Sequence, residues 1–74
     1  MACQVGITTD PDRRKREWQS ERPSLRNWRI VSTHRTKSAA QKKESEVAAN
    51  SGCNAHAGGS GPENATWHVY RFTY

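Results

Sequence analysis

Eleven of the twelve lysines and arginines of this 74-residue chain lie between Arg13 and Lys43, opposed there only by Glu17 and Glu21. That stretch carries +9, while residues 1–12 and 44–74 carry −2 each. Positive charge this concentrated favours a polyanion, because neutralising phosphates releases condensed counterions. DNA or RNA is the expected partner, and Arg13, Lys15, Arg16, Arg22, Arg26, Lys37, Lys42 and Lys43 are the candidates for holding its backbone, with Arg29 and Arg35 beside them. Arg13 and Arg16 are three apart, so on a helix they share a face. The plainer alternative is a solvated surface in which Lys42, Lys43, Glu44 and Glu46 make local ion pairs. Trp18 or Trp28 could stack bases if exposed, but a chain this poor in aliphatic residues is expected to spend its tryptophans on its core.

Other reactive groups carry less. Cys53, His56 and His68, joined by His34 or Cys3, invite a zinc reading, but their spacing fits no standard zinc pattern. Nothing in the sequence positions a Cys–His nucleophile pair. Gly58-Gly59-Ser60-Gly61-Pro62 lacks the lysine and following helix of a phosphate-binding loop and reads as a connector.

The elements that must position these residues are marked by local chemistry. Cys3 to Thr8 reads as a strand, with Val5 and Ile7 on one face. Asp10 suits a helix N-cap and Pro11 the first helical position, so a helix is expected to about Ser20. Pro23 limits it and drives Arg22 toward extended backbone. Leu25 to Thr33 reads as a second strand. Thr36 or Ser38 caps a second helix, with capping-box spacing to Gln41 favouring Ser38. This helix should reach about Asn50 and end at a left-handed Gly52.

Residues 53–64 then form a flexible Gly-rich loop, long for so small a domain. Thr66 to Tyr74 is a last strand, apolar on both faces, which places it centrally or across a dimer. The order β-α-β-α-β predicts an α/β (α+β) domain covering 1–74, a three-stranded, mostly antiparallel sheet flanked by two helices.

Val5-Gly6-Ile7-Thr8, followed by Asp12-Arg13-Arg14 and later by Ala40 and Glu44, resembles the second half of the GIY-YIG nuclease signature over roughly residues 4–51. Gly6 and Thr8 match the Gly-x-Thr segment, and Arg14 takes the invariant arginine's place. The resemblance implies that Arg14 stabilises a scissile phosphate and that Glu44 holds one Mg²⁺ or Mn²⁺. A tyrosine would help activate water. Such a pairing is chemically sound, because a guanidinium fork and a hard cation both stabilise charge growing on phosphorus.

Glu44 also falls one turn after Ala40 and one turn before Ala48, so it shares their apolar stripe and needs a partner there, a cation or Arg14 itself. The pattern departs from the family where Gln4 replaces the second tyrosine, where Trp18 replaces a histidine or tyrosine, and where the first strand has no counterpart upstream. The C-terminal strand could take the missing strand's place by circular permutation, bringing Tyr70 or His68 to the site. The implied function is nucleic-acid binding with weak or absent hydrolysis. The alternative is a small adaptor or inhibitor that binds a protein, or a second copy, through its aromatic C-terminal strand.

Size bounds all of this. One core of this length rarely supplies more than about 3–5 kcal/mol, so a homodimer or a stabilising partner is plausible. Two cysteines make no disulfide framework, and no apolar run approaches the length of a membrane span. The expectation is a cytoplasmic protein with free thiols.

Overall fold

The computed structural model describes residues 2–55 and 61–74. Two helices and four strands follow in the order β1 (Cys3–Thr8), α1 (Pro11–Glu21), β2 (Arg26–Thr36), α2 (Lys37–Ser51), β3 (Asn54–Ala55) and β4 (Asn64–Thr73). The sheet order is β2-β4-β1-β3. β4 runs antiparallel to both neighbours, whereas β1 and β3 are parallel.

Helix boundaries obey the local chemistry. Asp10 caps α1, its side chain accepting from the Arg13 amide at 3.2 Å, with proline in the first turn. Arg22 closes the helix at φ −127°, its amide reaching the Trp18 carbonyl. Gly52 ends α2 in the left-handed region at φ 67°. The N-cap of α2 is Thr36, not the expected Ser38. Ser38 is instead engaged by Glu63, whose carboxylate accepts from both its amide and its hydroxyl at 2.8 Å.

The C-terminal strand is central, as its two apolar faces required. Trp67 and Val69 pack with Val5, Ile7, Ala40 and Ala48 on the side covered by α2. Tyr70 and Phe72 pack with Trp18 of α1 on the other side, with Leu25, Trp28 and Tyr74 around them. Each helix therefore covers its own face. The tryptophans serve this core: Trp18 and Trp67 are buried, and Trp28 stacks on Tyr70 with ring centroids 4.6 Å apart.

Three expectations need correction. The sheet has four strands rather than three, because Asn54 and Ala55, inside the expected loop, pair with Gln4 and Val5. β2 continues to Thr36, past the expected end at Thr33. Cys3 and Cys53 are not free thiols but a disulfide, which ties β1 to the segment after α2. His56, Gly58, Gly59 and Ser60, named above in the zinc and loop readings, lie outside the described residues. No helix among the described residues is long and apolar enough to cross a membrane.

Candidate functional site

Arg14 projects from the first turns of α1 into a cavity of about 180 Å³. Thr8, Thr9, Asp10, Arg13, Glu17 and Trp67 complete its wall. The end of β1 supplies the threonines. Thr8 fixes the entry to the helix, its hydroxyl accepting from the Asp10 amide at 3.0 Å. Arg14 Nη1 pairs with Glu17 at 3.3 Å, and Arg13 Nε approaches the same carboxylate at 3.9 Å. Arg14 Nε is buried and has no acceptor among the described residues. A buried N–H is costly unless an oxygen accepts from it, and a ligand oxygen or a water can do so.

Glu44 lies on the buried stripe between Ala40 and Ala48, facing the sheet as the spacing predicts. It is 5% exposed, and its Oε2 has no hydrogen-bond partner among the described residues. Burial pushes its carboxyl up to about 7. Neither predicted partner stands against it. Arg14 pairs with Glu17 rather than with Glu44. Among the described residues no group of three His, Cys, Asp or Glu side chains gathers around a shared point. A hard cation takes six or more oxygen ligands. One enclosed carboxylate that is half protonated near neutrality fits it poorly, so no step through a metal is derived.

Tyr70 is fully buried, and its hydroxyl accepts from Trp18 Nε1 at 2.8 Å. Its ring crosses Gly6, its register partner on β1, and a Cβ at Gly6 would collide with the phenol. Burial raises the Tyr70 hydroxyl's pKa. The Trp18 hydrogen bond and the positive charge of Arg14 pull the other way, while Glu44 and Glu17 add to the rise. Tyr70 therefore feels the charges of both Arg14 and Glu44, but the Arg14 cavity is walled by neither Glu44 nor Tyr70. His68 is the register partner of Thr8 on one side and of Thr33 on the other, and it is hydrogen-bonded to Thr33 at 3.0 Å.

The predicted phosphate contacts divide between elements. Arg13, Lys15 and Arg16 belong to α1, with Arg13 and Arg16 exposed. Arg22 is drawn over the Tyr74 ring, 4.8 Å from its centroid. Lys37 lies 5.6 Å from the Trp67 centroid. Lys42 and Lys43 belong to α2, which covers the opposite face of the sheet, and Arg26 opens the edge strand β2. Two residues escaped the sequence reading. Gly6 was named only for its match to the Gly-x-Thr segment, but it clears space for Tyr70, and only the β1–β4 register shows this. Glu63 had no visible signal, because its partner Ser38 is 25 residues away.

No family model, no curated protein and no solved structure matches this chain. Its chemistry has to be argued from its own residues.

Proposed function

We propose that the protein binds the phosphate backbone of a nucleic acid through α1, with hydrolysis weak or absent. The observation that carries this is Arg14 Nε, buried without an acceptor among the described residues at a cavity beside the exposed Arg13 and Arg16. A phosphate oxygen in the cavity would complete it, and the flanking cations would add the salt-dependent attraction.

The GIY-YIG resemblance is supported by the place of β4, antiparallel beside β1 with Tyr70 across from Gly6. That is where a permuted first strand would lie. Two features disfavour turnover. The Tyr70 phenol is sealed beneath the surface, and among the described residues Glu44 belongs to no group of three His, Cys, Asp or Glu side chains.

The test is binding of labelled single- and double-stranded oligonucleotides by the full chain, wild type against Arg14→Gln and against Lys42→Gln/Lys43→Gln. Loss confined to Arg14→Gln is expected; equal affinity in all three proteins overturns the reading. Cleavage with Mg²⁺ or Mn²⁺ that vanishes in Glu44→Ala would replace it with a nuclease.

A second reading rests on β2. The aromatic strand has neighbours on both sides and buries Trp67, Tyr70 and Phe72, so it offers no edge to a partner. β2 is the long edge strand, and it carries the exposed large hydrophobic residues Ile30 and Val31 at 41% and 38%. Contact with a second copy would run along β2. Sedimentation of wild type and Val31→Lys decides: a dimer lost in the variant supports it, and a monomer at all concentrations ends it.

A further inference from the structure

On the side of the sheet covered by α2, two arginines stand opposite each other across a strand pair. Arg29 of β2 and Arg71 of β4 are register partners. Directly opposed residues of an antiparallel pair share a face and lie within reach of each other, and like charges there are destabilising. Neither is neutralised: the ion pairs among the described residues all belong to Glu17. Arg71 Nη1 donates to Ser51 Oγ at the end of α2, at 3.3 Å. This contact gives Arg71 a structural reason to be there, because the last turn of α2 has no basic residue of its own. Arg29 is exposed and has no such reason.

The local backbone is unusual too. The register shifts between Arg26 and Arg29. Asn27, in the bulged segment, holds a left-handed φ of 59°, and its side chain donates to Thr73 Oγ1 at 3.0 Å. Irregularities of this kind redirect side chains beside binding sites. Here the irregular segment borders a cavity of about 360 Å³ walled by Asn27, Trp28, Arg29, Arg71, Phe72 and Thr73.

We infer that Arg29 and Arg71 form a two-guanidinium clamp for one phosphate group. A tetrahedral dianion between them turns the cross-strand repulsion into two charge-assisted contacts, and the Asn27 amide stands at the rim. This site is separate from the Arg14 cavity, and its test does not depend on nucleic-acid binding by α1.

The probe is inorganic phosphate. The thermal midpoint of the full chain is measured against phosphate and against sodium chloride at matched ionic strength. Phosphate is expected to raise the wild-type midpoint saturably beyond chloride. In Arg29→Gln the apparent affinity should fall about tenfold or more, the loss of a hydrogen bond between charged groups. Gln19→Ala, at an exposed position on α1, should respond like wild type. Without phosphate, at low salt, Arg29→Gln should be at least as stable as wild type, because it removes a repulsion. A phosphate effect no larger than that of chloride, an equal effect in Arg29→Gln, or a less stable variant at low salt would each overturn the clamp. A short single-stranded oligonucleotide separates the sources. If Arg29→Gln weakens its binding, the clamp takes a nucleic-acid phosphate. If only the phosphate response is lost, it takes a small phosphate-bearing ligand.

Discussion

Glu44 and Glu63 push the stability of the fold in opposite directions as pH changes. Glu44 in the folded chain holds its proton up to about 7, against an ordinary value of 4.5. The folded state therefore binds more protons than the unfolded state between those values. The contribution of Glu44 is full below about 4.5 and is lost as pH rises through 7. Glu44→Gln should flatten this slope and exceed wild type above neutrality by about 1–3 kcal/mol, read from urea unfolding at several pH values. The Glu63 carboxyl is held below its usual range, first by the Ser38 amide and then by the Ser38 hydroxyl. Its stabilisation is present above the ordinary carboxylate range and is lost as pH falls through its folded value. Gly6 belongs to the same scale. Gly6→Ala forces a methyl into the Tyr70 phenol and should cost about 1–3 kcal/mol, as overpacking does. Tyr70→Phe should rescue only part of this, because a ring carbon as well as the hydroxyl occupies that space.

Among the elements, α1 is held most lightly. It buries Trp18 and otherwise presents polar residues, so its capping matters. Asp10→Ala should cost about 1 kcal/mol in thermal or urea unfolding. Glu17 is a built-in competitor for any anion at Arg13 and Arg14, since both guanidinium groups already lean on it. Glu17→Gln should tighten oligonucleotide binding severalfold, and its advantage should shrink as salt rises. Unchanged affinity would mean that nucleic acid does not visit this cavity. The start of α1 and the end of α2 were legible in the sequence because Asp10-Pro11 and Gly52 act within one turn. Glu44 was legible for a similar reason, as its stripe needs only helical spacing. β3 was not legible: Asn54 and Ala55 have no strand pattern and become a strand only because β1 lies alongside. The cap of α2 went to Thr36 because Glu63, from far along the chain, had claimed Ser38.

For the whole molecule, the disulfide changes the balance. It joins residues 50 apart in sequence, and closing a loop of that length in the unfolded chain is worth about 4 kcal/mol in the chain-entropy account. That matches what a core of this size supplies by itself. Cys3→Ser/Cys53→Ser should therefore unfold at a much lower urea concentration than wild type, and a reducing agent should shift wild type to the same place. Neither cysteine announced this, because their proximity follows from β1 and β3 lying side by side.

The position of β4 has a kinetic consequence. β2 joins the sheet only through it, and it also stands between β2 and β1, its register with β1 joining Cys3 to Thr73. Among the described strands no sequence neighbours pair, and even the nearest partners, Thr36 and Asn64, are 28 residues apart, so long loop closure must precede the pairing that rewards it. Such a molecule should fold in one cooperative step, slowly for its length, with helices that flicker alone and a sheet that forms all at once.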